Sequence, residues 1–194
     1  YVRNRAFTGL NLLSLTIGLF VAYTAISYIR FELSYDTFHQ HADSVYRLIR
    51  TYRSQDYSVI GFANWDAATN RAQQQQLNAL KNATGVVDAA QFITSDAPTF
   101  LEANGRQIQT KNLLTTNTPG AFCSVFTWTL QQGTFQNFAD GTNKVMLTAR
   151  IARSLFGDDL TNAVQKRLKI GVDYYTIAAI IDDVPLNSHV DFTV

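Results

Sequence analysis

Residues 6–29 form a run of 24 positions without a charged side chain, preceded by Arg3 and Arg5 and followed by Arg30 and Glu32. As a helix this run would be ~36 Å long at ~1.5 Å per residue. That is enough to cross a hydrocarbon layer ~30 Å thick with some tilt. Two other readings compete with a membrane span. A core helix buried in protein would be unusually long for one without any charge. A secretory signal would use Arg3 and Arg5 as its basic start and Ala25-Ile26-Ser27 as its cleavage region. Its apolar centre, however, exceeds the ~7–15 residues of an ordinary signal. The expectation is therefore a cytoplasmic N-terminus and transmembrane helix over residues 1–30, with a separate domain over 31–194.

Beyond Arg30 the period of the pattern changes. Residues 36–43 are rich in turn formers, and 45–52 are rich in β-branched and aromatic residues, which predicts a strand. Residues 54–63 read as loop. Residues 64–82 are rich in Ala, Gln and Leu and predict a helix ending near Gly85, with the Gln73–Gln76 tract on a solvated face. A strand is expected over 86–94. Asn104-Gly105 between 99–103 and 106–111 is a two-residue hairpin signal. Pro119 opens a short aromatic helix to Phe126. Residues 144–147 predict a strand, and Thr148 can cap a helix that runs to Phe156 and stops at Gly157. A second hairpin is expected from 167–170 and 174–181 around Gly171-Val172-Asp173. Strands and helices are mixed, with two hairpins, so the fold class is α+β.

Composition narrows the function classes. Once Arg3 and Arg5 are set aside, residues 30–194 carry 14 basic and 15 acidic side chains. That balance excludes the basic footprint of a nucleic-acid binder. Cys123 is the only cysteine, so no intrachain disulfide forms; beside Phe122, Val125 and Phe126 it reads as a small buried hydrophobe. The chain opens on Tyr1 and closes on the strand-like Phe192-Thr193-Val194, and it reads as a piece of a longer protein.

Candidate chemistry is sparse. The sequence has no phosphate-binding loop, no Gly-x-Ser-x-Gly elbow and no His-Glu-x-x-His motif. His39 and His41 would share a face on a strand and could hold a metal, but no Cys or third His lies near them in sequence. Asp182, Asp183 and His189 could do acid–base work, although Pro185 and Asn187-Ser188 make the segment read as a strand-ending loop. No cofactor is expected. Ser14, Gly18 and Ala22 are spaced four apart on the apolar run, close to Asn11 and Ala25. Small residues at that spacing let helices approach closely in lipid. By the positive-inside rule Arg3 and Arg5, against Arg30 offset by Glu32, place the N-terminus in the cytoplasm and residues from about 31 outside it.

Four patches resemble a known family. The segment Glu32-Leu33-Ser34-Tyr35-Asp36, with Phe38-His39, Ala42-Asp43 and Val45-Tyr46-Arg47-Leu48, is similar to the stretch after the first transmembrane helix in ABC transporter permeases of the macrolide-exporter (MacB) and FtsX-like type. Three later patches follow in the family's order. These are Thr118-Pro119-Gly120-Ala121-Phe122 with Val125-Phe126, then Val145-Met146-Leu147-Thr148 with Ala152 and Leu155-Phe156-Gly157. The last is Tyr175-Thr176 with Asp183-Val184-Pro185-Leu186-Asn187-Ser188-His189. Residues 161–166 lack the Asn-Pro-x-Gly-Lys turn common in the family, and 54–82 match poorly.

The resemblance implies a non-catalytic permease subunit in the inner membrane, made of a first span and an incomplete MacB-like periplasmic core domain. It would transmit ATP-driven motion for export or extrusion of a substrate. ATP would be bound by a cytoplasmic ABC ATPase, and the other implied partners are a second permease copy or homologue, membrane lipid and a periplasmic adaptor. The residues expected to matter are mechanical: Arg30, Glu32, Tyr35 and Asp36 at the membrane exit and stalk, and Ser14, Gly18 and Ala22 in helix packing. Other readings are a membrane-anchored extracytoplasmic sensor of a signalling protein, a pilin-like subunit (disfavoured by Arg5, where that class carries Glu), and a tethered enzyme for which no motif speaks.

Overall fold

The computed structural model describes residues 4–52, 55–57 and 67–194. By its contacts the chain forms two compact units. One comprises the N-terminal stretch through Thr37 together with Asn187–His189; the other comprises Phe38–Leu186 and Val190–Val194.

The first unit is dominated by α1, Arg5–Glu32, a helix of 28 residues. None of its residues is buried within the chain, and it is long and apolar enough to cross a membrane. In water such an all-round apolar surface would have to be covered; in lipid it needs no protein partner. Arg30 stands in its last turn, where a cation complements the carbonyl end of the helix. Polar side chains inside the run return to the helix backbone: Ser14 Oγ donates to the Leu10 carbonyl at 2.9 Å and Thr16 Oγ1 to that of Leu12 at 2.8 Å. Every Ser or Thr so bonded removes a donor that lipid could not satisfy.

The second unit is the α+β domain. Its main sheet has six strands: β4 (Thr99–Ala103), β5 (Arg106–Thr110), β7 (Leu130–Gly133), β8 (Lys144–Thr148), β9 (Arg167–Ile170) and β10 (Asp173–Ile181). The order is β5-β4-β9-β10-β7, and β8 pairs with β10 in parallel, the other pairings being antiparallel. Two antiparallel pairs stand apart, β1 (Arg50–Tyr52) with β2 (Gln55–Tyr57), and β3 (Phe92–Ser95) with β6 (Leu113–Thr116). The helices are α2 (Ala67–Lys81), α3 (Pro119–Val125), α4 (Phe135–Ala139) and α5 (Ala149–Phe156).

β10 organises the core. Ile177 and Ile180 enter one cluster with Leu101, Leu147, Leu155 and Leu168, while Ala179 and Ile181 enter another with Phe122, Trp128, Met146 and Phe192. Strict alternation would put Ile177 and Ala179 on the same face. They part because the ladder with β8 shifts between Ile177 and Ala179, inserting Ala178 as an extra residue. Gly133 of β7 sits opposite Ala179 with φ +81, and a Cβ there would overlap the Ala178 carbonyl oxygen and lie 2.9 Å from Ala179 Cα. Only glycine fits that approach.

Both expected hairpins form. Asn104 and Gly105 have φ of 53 and 71, the two positive values that a type I′ turn needs, and Gly171 (φ 60) begins the turn between β9 and β10. Other expectations need correction. The strand over 45–52 is paired only from Arg50, because residues 45–49 have no ladder partner among the described residues. The strand over 86–94 begins at Phe92. Of the loop expected over 54–63, residues 55–57 form β2, and 54 and 58–63 lie outside the described residues. The helix over 64–82 is described from Ala67 to Lys81. β6, β7 and α4 are not expected from the pattern, although α4 has a capping residue, Thr134, whose hydroxyl accepts the Asn137 N–H at 3.1 Å. Thr148 does precede α5, yet its hydroxyl donates to the Thr193 carbonyl at 3.2 Å instead of capping the helix. The cap comes from Asp183, whose Oδ1 accepts the Arg150 backbone N–H at 2.9 Å.

Candidate functional site

The densest polar network in the first unit lies where α1 ends. The helix closes through Leu33 N–H to the Ile29 carbonyl (2.9 Å), and Ser34 folds back on Phe31 through both its N–H (3.0 Å) and its hydroxyl (2.7 Å). The next turn brings in residues 153 positions away. Asn187 Nδ2 donates to the Ser34 carbonyl at 2.8 Å and to Ser34 Oγ at 3.0 Å. Asp36 N–H donates to the Asn187 carbonyl at 2.9 Å.

The Asp36 carboxylate completes the latch. Oδ1 accepts the His189 backbone N–H at 3.0 Å, and Oδ2 lies 2.6 Å from His189 Nδ1. Tyr35 places its ring 4.7 Å from that of His189 and 5.4 Å from that of Phe31, the latter edge-on. Partial burial opposes the charged form of Asp36. The backbone N–H, ring and charge of His189, with the Ser188 hydroxyl, outweigh it and hold the carboxyl below the ordinary carboxylate value. Asp36 takes φ +55 to make these contacts. Aspartate tolerates the left-handed region better than most residues, but the conformation still costs about 1 kcal/mol, which the latch contacts must offset.

Of the stalk residues expected from the sequence, Tyr35 and Asp36 are therefore part of one network. Glu32 is the last residue of α1, and Arg30 is exposed in the same turn. Ser14, Gly18 and Ala22 are all exposed along α1, and a Cβ on Gly18 would meet nothing within 4 Å. Ser34, Asn187 and His189 complete the same network. The signal was available in the pairing of two patches, Ser34-Tyr35-Asp36 and Asn187-Ser188-His189, each of which alone is turn chemistry.

The other chemical candidates dissolve into structural roles. His39 and His41 lie in turns: His39 is buried while His41 is exposed. His39 Nδ1 accepts the Thr127 N–H at 3.0 Å, and its ring stands 5.4 Å from Trp128 and 4.1 Å from Phe38. Among the described residues no cluster of three or more His, Cys, Asp or Glu could hold a metal. Asp182 accepts from Gln131 Nε2 at 2.6 Å, Asp183 caps α5, and His189 serves Asp36, so the acid–base trio read from the sequence is divided among three jobs. Cys123 is half-buried against the aromatic cluster, and burial pushes its thiol up to about 11, which keeps it unreactive.

Comparison with known proteins places these features. A family model described as the MacB-like periplasmic core domain matches residues 8–194, which takes in α1 and the α+β domain. Solved structures align with it as well. The extracellular domain of the noncanonic ABC-type transporter YknZ from Gram-positive bacteria is 19% identical, with a TM-score of 0.43 over 57% of this chain and 57% of that one. A domain of a permease protein from Porphyromonas gingivalis is 21% identical, with a TM-score of 0.47 over 59% of this chain and 52% of that one. The periplasmic region of MacB from Actinobacillus actinomycetemcomitans is 15% identical, with a TM-score of 0.42 over 57% and 50%. The chain thus spans about half the length of each. No curated protein matches.

Proposed function

Since the chain belongs to the family of MacB-like periplasmic core domains, we propose that it is the first span and outer domain of an ABC transporter permease subunit that carries ATP-driven motion across the membrane. The observation that bears most on this reading is the latch. A helix fit to cross a bilayer ends in a turn tied by side chains and backbone to residues 153 positions on. Both tied segments continue covalently into the α+β domain, at Phe38 on one side and at Leu186 and Val190 on the other. A pull or twist on α1 would therefore enter the domain at several chain crossings rather than one. A single flexible connection would dissipate it.

In this reading the subunit performs no chemistry of its own. ATP is bound and hydrolysed by a cytoplasmic ABC ATPase, and a second permease copy or homologue completes the pathway. Arg3 and Arg5 put the N-terminus on the cytoplasmic side of the inner membrane by the positive-inside rule. Ser14, Gly18 and Ala22 offer α1 a close-packing face toward other spans, and a periplasmic adaptor would dock on the outer domain.

The test uses the full-length permease with its ATPase in lipid nanodiscs, carrying a spin label at Val87→Cys, a fully solvated position, in a Cys123→Ser background. ATP followed by vanadate trapping is expected to change the label's distance to a second label on the cytoplasmic side. Asn187→Ala is expected to leave ATP hydrolysis in place and abolish that change. A distance indifferent to ATP in the wild type would sink the reading.

A further inference from the structure

We propose that the Asp36–His189 contact is a latch tightened by acid, in which protonation of the His189 ring turns a hydrogen bond into an ion pair and holds the helix exit closed. This rests on the reading of the latch given above and adds its regulation.

Four observations carry it. First, the geometry fixes the roles of the atoms. Asp36 Oδ1 is taken by the His189 backbone N–H and Oδ2 faces Nδ1 at 2.6 Å. An ionised carboxylate only accepts, so Nδ1 carries a proton whether the ring is neutral or charged. The second proton goes to Nε2 and adds charge without breaking the bond. A charge-assisted hydrogen bond is roughly twice as strong as a neutral one.

Second, the side chain of His189 is 72% exposed while that of Asp36 is 30% exposed. The base can therefore exchange protons with the medium, and the acid it holds is partly shielded. Third, among the described residues the titratable groups seen to contact the ring are Asp36 and the Tyr35 phenol, whose ring is tilted against it at 4.7 Å; the remaining latch members, Ser34, Asn187 and Ser188, are neutral. A histidine is the side chain that changes charge between about pH 5 and pH 8, so over that range the network has one variable member. Fourth, Asp36 is held at φ +55. Once the pull of His189 weakens, the backbone gains by relaxing to an ordinary φ.

The experiment follows hydrogen–deuterium exchange of the full-length permease in nanodiscs between about pH 5 and pH 8, corrected for intrinsic exchange. The readout is the peptides containing the Asp36 and His189 amides, both of which donate within the latch. Protection is expected to be about fivefold higher at the acid end. His189→Gln, which can still hydrogen-bond but does not titrate, is expected to show no such slope. Equal protection across the range in the wild type, or a slope that survives in His189→Gln, would overturn the proposal. Absence of protection in the wild type at both ends would overturn the latch itself, and with it the support that the latch lends to the functional reading.

Discussion

Asp36 and His189, 153 residues apart in sequence, are joined twice: through the backbone N–H of His189 to Oδ1 at 3.0 Å and through its Nδ1 to Oδ2 at 2.6 Å. Because the carboxyl of Asp36 is held below its ordinary value, its contribution to stability is complete above the unfolded carboxylate value of ~3.9 and is lost as pH falls through the lower folded value. Thermal unfolding of the wild type is therefore expected to weaken more steeply below about pH 4 than that of Asp36→Asn, with the two curves converging in strong acid. Parallel curves from neutral pH downward would show that the carboxylate does not matter.

Ser34 and Asn187 form the neutral half of the same latch. Asn187→Ala removes two hydrogen bonds to Ser34, at 2.8 and 3.0 Å, while Ser34→Ala removes one of them. A double-mutant cycle by urea unfolding is expected to give a coupling of about 0.5–1.5 kcal/mol. Strict additivity of the two single losses would mean that the pair is incidental.

Gly133→Ala would drive a methyl group into the Ala178 carbonyl at the bulge of β10, at a residue with φ +81. A loss of about 2–4 kcal/mol is expected. Gly105→Ala also has positive φ but meets nothing within 4 Å, so it should cost about 1 kcal/mol. Chemical denaturation of the two variants side by side separates the clash from the backbone preference.

Asp183→Ala removes the cap of α5 and is expected to cost about 1 kcal/mol, whereas Asp183→Asn keeps an oxygen for the Arg150 N–H and should lose much less. Any hydrolase activity that vanished with Asp183→Asn but not with loss of stability would revive an acid–base role for this residue.

Gly18→Ile fills a position where no atom of the chain lies within 4 Å. The unfolding of the α+β domain should be unchanged. Association of α1 with other spans, measured by energy transfer in lipid, should fall if that face packs against a neighbour.

What could be read from the sequence was what is decided within a few residues. The uncharged run of 6–29 became α1, Asn104-Gly105 became a type I′ turn, and Pro119 opened α3. What escaped was decided at a distance. Val45-Tyr46-Arg47-Leu48-Ile49 has strand composition yet no ladder, because strand preference is a preference for partners and it has none among the described residues. Leu130–Gly133 has a weak local pattern and is a strand because β10 lies beside it. Thr148 stands where a capping residue should, but the buried Thr193 carbonyl competes for its hydroxyl and Asp183 takes over. The latch is legible only as two separate patches for the same reason: Asp36 and His189 each look like turn residues until the fold sets them 2.6 Å apart.

The central place of β10 has a kinetic consequence. Its partners β7, β8 and β9 all precede it in the chain, and it supplies side chains to both hydrophobic clusters. During synthesis, then, the nascent polypeptide can pair β4 with β5 and β9, but β7 and β8 have no place in the main sheet until Ile181 has been delivered. Maturation becomes a single late event that depends on contacts of long sequence separation, which is slow, and until then the emerged segment stays open to proteases and holdase chaperones.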